Sequence, residues 1–168
     1  KMNLEIYKHV YLLGIGGIGM SALARYFNSH GMRVSGYDKS KTTLTENLEK
    51  EGVRIHYKDD VSQINDEIKA AKVTELLVIY TPAIGEYNTE FNFFKNKGII
   101  PLKRSEVLGM ITRESFTIAI AGTHGKTTTA AMLTHILKNS AIDCTAFLGG
   151  ISKDFNSNLV LAKKGNIV

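Results

Sequence analysis

The sequence has little of what marks secreted or membrane-bound proteins. It contains one cysteine, Cys144, so it can form no internal disulfide, and a lone thiol is typical of a reducing cytoplasm. Its longer apolar runs, such as residues 76–79, fall far short of the ~20 residues that span a bilayer. Residues 1–5 also lack the apolar stretch of a signal peptide. We therefore expect a soluble, cytoplasmic protein with no membrane partner.

Clustered positive charge is also missing. The chain has 21 Lys and Arg against 16 Asp and Glu, a net charge of +5, and its only adjacent basic pairs are Lys103-Arg104 and Lys163-Lys164. Proteins that bind nucleic acid usually show a basic stripe or cluster. The sequence therefore predicts no nucleic-acid partner, and its modest positive balance suits small phosphorylated ligands better.

The 168 residues have an ordinary globular composition, with 43% hydrophobic and 22% charged residues. Short β-branched runs alternate with amphipathic stretches, which is typical of an α/β fold on a parallel sheet. We predict strands at residues 9–13, 33–37, 53–56, 76–80 and 99–102. We predict helices at residues 18–30, 44–51, 91–97 and 106–112, the last of them capped by Ser105.

A second α/β unit is predicted to begin near residue 116. It starts with a strand at 116–120, a glycine turn at 122–125 and a helix at 126–139. A strand at 142–147 follows, then the Gly149-Gly150 pair, a polar loop at 156–158 and the opening of another strand at 167–168. The sequence thus predicts one complete domain over residues 1–115 and an incomplete second domain over 116–168.

A glycine-rich loop links the first predicted strand to the first predicted helix. Its sequence is Gly14-Ile15-Gly16-Gly17-Ile18-Gly19. Glycines allow a tight turn and let backbone N–H groups approach a diphosphate, and the start of a helix favours negative charge. The strand–loop–helix context supports a phosphate site over a purely structural turn. Ser21 either donates its hydroxyl to phosphate or bonds only to its own helix turn.

Asp38 ends the second predicted strand, where dinucleotide-binding domains place an acid that binds ribose. This position makes a nicotinamide cofactor a serious alternative. A solvated aspartate that begins a turn with Lys39 and Ser40 is the second alternative.

Two further segments follow predicted strands. Thr81-Pro82-Ala83 comes after the strand at 76–80, and Lys103-Arg104 comes after the strand at 99–102. Ligands of open parallel sheets bind in the crevice beyond the carboxyl ends of the strands, so we expect all these loops to face one site. Arg104 can hold a carboxylate or phosphate with two hydrogen bonds, although a surface arginine beside a helix start fits equally well.

The second glycine loop carries a Gly-Lys-Thr core between a predicted strand and a predicted helix. Its backbone would cradle nucleotide phosphates, Lys126 would reach the β- and γ-phosphates, and Thr127 would hold Mg²⁺ through its hydroxyl. The loop is a variant P-loop, because Ile120 stands where the first glycine is expected. The alternative is an ordinary helix N-terminus. The candidate residues for ATP binding are Gly122, Thr123, His124, Gly125, Lys126, Thr127 and Thr128.

Other reactive side chains form no recognisable arrangement. His124 and the remaining histidines lack metal-ligand spacing, and Cys144 is interpreted as a buried thiol and not as a nucleophile.

Together the two loops closely resemble the Mur ligase family. Tyr37-Asp38, Thr81-Pro82-Ala83-Ile84 and Lys103-Arg104-Ser105-Glu106 add to this resemblance, which spans essentially the whole chain. It implies a Rossmann-like domain that binds a UDP-sugar, followed by the start of a P-loop ATP-binding α/β domain. The implied reaction joins L-alanine to the carboxylate of UDP-N-acetylmuramate through an acyl phosphate, at the expense of ATP with Mg²⁺, in cytoplasmic peptidoglycan synthesis.

The resemblance also implies roles for particular residues. Lys126 and Thr127 are the expected catalytic residues, with Thr127 as the Mg²⁺ ligand. The expected UDP-sugar residues are Gly14, Gly16, Gly17, Ile18, Gly19, Asp38, Thr81, Pro82, Ala83 and Arg104. Three alternatives stay open, namely a nicotinamide-binding oxidoreductase domain, a regulatory nucleotide-binding module, and a family relative that ligates a murein peptide.

The family's chains continue beyond the point that corresponds to residue 168, into the rest of the ATP domain and its acidic Mg²⁺ partners. We therefore expect these 168 residues to bind the UDP-sugar and to lack ligase activity on their own. Apolar residues on the helix of the second unit would then lack neighbours, and a homodimer through residues 116–168 is a hypothesis. Those residues are Ala130, Met132, Leu133 and Ile136.

Overall fold

The computed structural model describes residues 4–85, 87–140 and 142–163. The chain divides into two compact units, Lys1–Leu108 and Gly109–Val168. This division falls inside a helix, Arg104–Arg113, whereas the sequence predicted a boundary near residue 115. Among the described residues, no helix is long and apolar enough to cross a membrane.

The first unit is built on a parallel five-stranded sheet with the order β3-β2-β1-β4-β5. The strands are β1 (His9–Leu13), β2 (Arg33–Tyr37), β3 (Arg54–His56), β4 (Leu76–Tyr80) and β5 (Leu102–Lys103). The helices are α1 (Ile18–Ser29), α2 (Thr43–Lys50), α3 (Asp66–Ala70), α4 (Thr89–Asn96) and α5 (Arg104–Arg113). Short 3₁₀ turns lie at Leu4–Ile6, Val61–Gln63 and Val73–Glu75. The predicted Rossmann-like α/β class is confirmed.

Helices cover both faces of this sheet, because the strand order reverses between β1 and β4 and parallel crossovers are right-handed. One face forms a buried core that includes Tyr11, Tyr37 and Ile68, with Phe94 of α4 packed against them. Alternate residues of a strand point to opposite faces, so Val10 belongs to the other layer. Both layers are buried, which explains the continuous apolar run of β1.

Two predictions for the first unit need correction. The fifth strand begins at Leu102 and not at residue 99, because Pro101 has no N–H to donate to a ladder. Ser105 is not the cap of α5, since it is the second residue of that helix. Instead, the Glu106 carboxylate accepts a hydrogen bond from the Lys103 N–H at 2.6 Å.

Beyond the end of α5, the second unit contains one helix and one hairpin within its described residues. The helix is α6 (Lys126–Lys138), and the antiparallel hairpin pairs β6 (Ala146–Ser152) with β7 (Ser157–Val160). The predicted strand at 116–120 is wrong, because only Phe116 forms an isolated bridge and 117–120 find no ladder partner in the described chain. The Gly149-Gly150 pair lies inside β6, and the predicted polar loop at 156–158 is a turn at Asn156 followed by β7.

The predicted strand at 142–147 begins only at Ala146. The Asp143 carboxylate explains the difference, because it accepts hydrogen bonds from the Cys144 N–H at 3.0 Å and from the Lys138 ammonium at 2.5 Å. Such side-chain bonds compete with ladder formation. The strand predicted at 167–168 lies outside the described residues.

Candidate functional site

The register of the sheet brings four predicted site residues to one edge. Leu13, Tyr37, Tyr80 and Lys103 form a row of paired Cα positions across β2, β1, β4 and β5. The next residue along each strand is therefore found at the same carboxyl edge. These residues are Gly14, Asp38, Thr81 and Arg104. The row lies where the strand order reverses, which is where open α/β sheets bind ligands.

Gly14 begins the loop in a conformation that favours glycine. Its φ is +83°, and its N–H donates to the Tyr37 carbonyl at 2.8 Å. A Cβ at this position would lie 2.5 Å from Thr81 Cγ2. The first glycine therefore lets the loops after β1 and β4 approach each other.

Asp38 braces this loop. Its Oδ2 accepts a hydrogen bond from the Gly16 N–H at 2.7 Å, and its Oδ1 accepts one from the Ser40 N–H at 3.1 Å. A Cβ on Gly16 would stand 2.7 Å from the same Oδ2, so the close approach requires glycine. The turn that the sequence suggested after Asp38 is present, and the carboxylate also holds the middle of the glycine loop.

The start of α1 lies beside a cation and has no side-chain cap. Gly17 is the N-cap without a side-chain cap, and the first helical bond is donated by the Ser21 N–H to the Gly17 carbonyl. A helix N-terminus of this kind favours a negatively charged ligand. A Cβ on Gly19 would lie 2.9 Å from Arg104 Nη1, which places this guanidinium against the start of the helix.

The other predicted residues near this loop differ in exposure. The Ser21 hydroxyl is buried and donates to the Ile18 carbonyl at 2.9 Å, which matches the helix-turn alternative. Thr81 is half-buried, and its carbonyl accepts from the Ile84 N–H at 2.9 Å in a turn that leaves Pro82 and Ala83 exposed.

The second glycine loop is exposed over residues 121–129. Gly122 has a φ of +147°, and Gly125, the N-cap of α6, has a φ of +74°. The Lys126 ammonium donates to the Gly122 carbonyl at 2.6 Å and to the Thr123 carbonyl at 3.1 Å. The lysine therefore closes the loop on itself, with the first amides of α6 in solvent.

A contact that the sequence did not predict lies beside Thr127. A Cβ on Gly149 of β6 would stand 2.8 Å from the Thr127 hydroxyl oxygen. The Gly149-Gly150 pair therefore leaves room for this side chain. A glycine pair usually predicts a turn, so the sequence did not indicate this contact between β6 and Thr127.

A model of the Mur ligase family, described as its catalytic domain, matches residues 9–116. The chain belongs to the Mur ligase family. It is 52% identical to a UDP-N-acetylmuramate–L-alanine ligase of Parabacteroides distasonis over 96% of its length, and 49% identical to one of Cytophaga hutchinsonii over 98%. These matches cover 34% and 35% of the relatives, so the chain spans about a third of their length.

Solved structures of Mur ligases show the same fold. The UDP-N-acetylmuramate-alanine ligase MurC of Thermotoga maritima matches with a TM-score of 0.82 and 33% identity, over 95% of this chain and 36% of that one. The UDP-N-acetylmuramate:L-alanyl-γ-D-glutamyl-meso-diaminopimelate ligase of Neisseria meningitides matches with a TM-score of 0.78 and 26% identity, over 95% and 49%. The relatives named here are ligases, and none is described as an oxidoreductase.

The thiol of this Mur ligase chain is sequestered, as the sequence predicted. Cys144 is 3% exposed, and burial raises the pKa of its thiol above the ordinary value. The residue precedes β6 and is not part of a strand. A buried thiol with a raised pKa is a poor nucleophile at neutral pH.

The sequence did not predict a buried polar cluster in the first unit. Glu90 in the first turn of α4 is fully buried and contacts Tyr11 of β1 and His56 of β3. A glutamate near a helix start usually caps an exposed helix, so its position along the chain gave no sign of burial. Only the tertiary fold brings these three residues together.

Proposed function

We propose that this chain carries the UDP-sugar site and part of the ATP site of a UDP-N-acetylmuramate–L-alanine ligase. The observation that carries the proposal is the shared edge of Gly14, Asp38, Thr81 and Arg104 beside the start of α1, which has no side-chain cap. A diphosphate needs backbone donors and a nearby cation, and this edge offers both. The names of the most similar relatives support the choice of substrate.

In the first unit, the loop from Gly16 to Gly19 would contact the UDP diphosphate, mainly at the helix start, because the Gly16 and Gly17 N–H groups already donate to Asp38 and to the Gly14 carbonyl. Arg104 would add a charge-assisted hydrogen bond from its place over the helix start. Asp38 would act on the substrate mainly through the loop, because both of its oxygens already accept backbone N–H bonds. Thr81, Pro82 and Ala83 would line the sugar side of the same crevice.

In the second unit, the start of α6 fits the phosphates of ATP. Its first amides point to solvent, and Lys126 lies at the mouth of the loop, where its ammonium can exchange the two loop carbonyls for phosphate oxygens. The Thr127 hydroxyl is the group here that would hold Mg²⁺, which would offset the negative charge of the β- and γ-phosphates. Cytoplasmic peptidoglycan synthesis is the setting that this chemistry implies.

The proposed reaction has two steps, and the first must bring two negatively charged groups together. The muramate carboxylate attacks the γ-phosphorus of ATP and forms an acyl phosphate as ADP leaves. The alanine amine attacks the acyl carbon and expels phosphate. Bringing an anionic carboxylate up to an anionic phosphate is the main barrier, and Lys126 offsets this repulsion.

The choice of amino acid rests on similarity. Among the solved structures, the one named as an alanine ligase is 33% identical to this chain, whereas the one named for L-alanyl-γ-D-glutamyl-meso-diaminopimelate is 26% identical. This contrast favours L-alanine over a peptide as the acceptor, without assigning a residue to the choice.

The test of this proposal is calorimetric titration of the chain with UDP-N-acetylmuramate and, in parallel, with NAD. We expect heat of binding with the UDP-sugar and none with NAD. Binding of NAD alone would overturn the ligase assignment and make Asp38 a ribose ligand. Binding of ATP without the UDP-sugar would favour a regulatory nucleotide module.

A second expectation concerns catalysis by the 168 residues alone. They make up about a third of the matched ligases, so we expect no alanine-dependent release of ADP. A coupled ADP assay with UDP-N-acetylmuramate, ATP, Mg²⁺ and L-alanine measures this directly. Release that depends on alanine would contradict the expectation.

A further inference from the structure

We propose that Glu90 is a positioning residue for the UDP-sugar site, which it orders through His56 and Asp38 without touching the substrate. The proposal rests on the proposed function of the first unit. The Glu90 carboxylate is fully buried in the first turn of α4 and is not one of the residues at the ligand edge.

Glu90 is held by three donors from three parts of the first unit. The Tyr11 hydroxyl donates to its Oε2 at 2.6 Å, and the Asp60 N–H donates to its Oε1 at 3.2 Å. His56 Nε2 lies 2.6 Å from the same Oε1. With Glu90 as the acceptor of this contact, we assign the proton of the imidazole to Nε2. Glu90 thereby ties β1, β3 and the following loop to α4.

His56 connects this cluster to the ligand edge. It is the last residue of β3, and its carbonyl accepts a hydrogen bond from the Asp38 N–H at 3.1 Å. Its side chain is only 14% exposed and is fixed by Glu90. Holding the imidazole therefore also holds the peptide group to which Asp38 is bonded.

Asp38 completes the connection, because its Oδ2 accepts the Gly16 N–H at 2.7 Å. An unbroken series of hydrogen bonds thus runs from Glu90 through His56 and Asp38 to the glycine loop. We call these four residues the Glu90 relay. Coupling of this kind requires a contiguous physical connection, and each contact of the relay is within hydrogen-bonding distance.

Asp59 strengthens the base of the relay. Its carboxylate accepts hydrogen bonds from the Thr89 hydroxyl at 2.6 Å and from the Glu90 N–H at 3.2 Å. The start of α4 is therefore fixed to the loop after β3 by backbone as well as side-chain contacts. This anchoring leaves Glu90 little freedom to adjust when a partner is lost, so a change there should be transmitted to His56.

The test is a double-mutant cycle on affinity for UDP-N-acetylmuramate with Glu90→Gln and Asp38→Asn. Glutamine keeps the shape, but it removes the negative charge and puts an NH₂ donor where one carboxylate oxygen accepts. We expect each single change to weaken binding about tenfold and the double change to be hardly worse than either. If the loss of affinity in the double variant equals the product of the two single losses, Glu90 and Asp38 act independently. That result would overturn the proposal.

A readout without ligand separates this proposal from the proposed function. Hydrogen exchange of the Gly16 amide, followed by NMR on the free protein, should speed up about tenfold in Glu90→Gln, with Leu12 in β1 unchanged. An unchanged Gly16 rate would overturn the relay even if the UDP-sugar binds. If the wild-type chain binds no UDP-sugar, the proposed function fails and the exchange rates still decide the relay.

Two further sets of variants guard against simple misfolding. Glu75→Gln is the matched control, because Glu75 pairs with Lys8 at the opposite edge of the sheet, and it should leave the Gly16 rate unchanged. If Glu90→Gln does not fold, His56→Gln and His56→Leu replace it. Glutamine retains a donor for Glu90 and should preserve slow exchange, whereas leucine should not. Equal rates in these two variants would contradict the relay.

Discussion

The two glycine loops of this chain both lead into the start of a helix, but they differ in the contacts that hold them. The loop at Gly14–Gly19 is held by neighbours from other strands, with Asp38 on Gly16, Thr81 against Gly14 and Arg104 on Gly19. The loop at Gly122–Thr128 is exposed, and among the described residues its lysine donates to the loop's own carbonyls. The contacts with neighbouring segments therefore hold the first loop in place, and its glycines supply the freedom to bend.

This comparison makes the first loop intolerant of side chains. Gly16→Ala would place a Cβ 2.7 Å from Asp38 Oδ2 and displace the bond that holds the loop. We expect UDP-N-acetylmuramate affinity to fall about hundredfold, or about 2.7 kcal/mol, with ATP affinity unchanged. Calorimetry measures both. The control is Gly109→Ala, whose Cβ meets nothing within 4 Å. Equal affinity in Gly16→Ala and the control would disprove the preorganised loop.

The second loop should be sensitive to its lysine instead. Lys126→Ala removes the ammonium that bonds to the Gly122 and Thr123 carbonyls and that would meet the phosphates of ATP. We expect ATP affinity to fall about tenfold, since a charge-assisted hydrogen bond is lost, and UDP-sugar affinity to stay the same. Lys153→Ala, on an exposed residue of the same unit, serves as the control. A fall in UDP-sugar affinity would contradict the separate roles of the loops.

Alkaline pH should weaken the first unit through Tyr11. Burial, together with the charge of Glu90, raises the pKa of this phenol far above its ordinary value of 10.0. The unfolded chain therefore releases this proton near pH 10 while the folded chain keeps it. The free energy of unfolding is thus retained below pH 10 and falls as the pH rises above it. Urea titrations from pH 8 to 11 should show a shallower fall in Tyr11→Phe, and parallel curves would contradict this assignment.

The smallest expected effect concerns the apolar side of α6. Met132 and Ile136 are each 63% exposed, whereas Ala130 and Leu133 are half-buried. If a second copy covers these side chains, light scattering at high concentration gives the mass of a dimer, and Met132→Lys restores the monomer. A monomeric mass for the unmodified chain would contradict the dimer hypothesis.

The sequence predicted the centre of the first unit better than any other part. The ranges of β1, β2 and β4 match the prediction. β1 and β4 are short and largely apolar, and β2 lies between Gly31 and the polar Asp38. The strand-end residues Asp38 and Arg104 were also found, since parallel topology determines where they lie. Their places just after predicted strands were enough to predict that they lie at the carboxyl edge of the sheet.

Features that depend on pairing partners were not predictable. The segment at 116–120 has strand-like composition but no ladder partner among the described residues. The Asp143 carboxylate accepts hydrogen bonds from Lys138 and from the Cys144 N–H, and the hydrophobic periodicity of the sequence does not indicate such bonds. The burial of Glu90 requires residues from β1, β3 and the loop between β3 and α3 to meet it. Such features come from tertiary contacts, and local propensity does not report them.

NMR mapping of the UDP-N-acetylmuramate site tests the central claim most directly. In a titration of the ¹⁵N-labelled chain, the account predicts large shifts for the amides of residues 14–19, Asp38, Thr81 and Arg104. It predicts no shift for residues 122–128, which should respond to ATP instead. Shifts at 122–128 with the UDP-sugar, or none at 14–19, would contradict the assignment of the two loops.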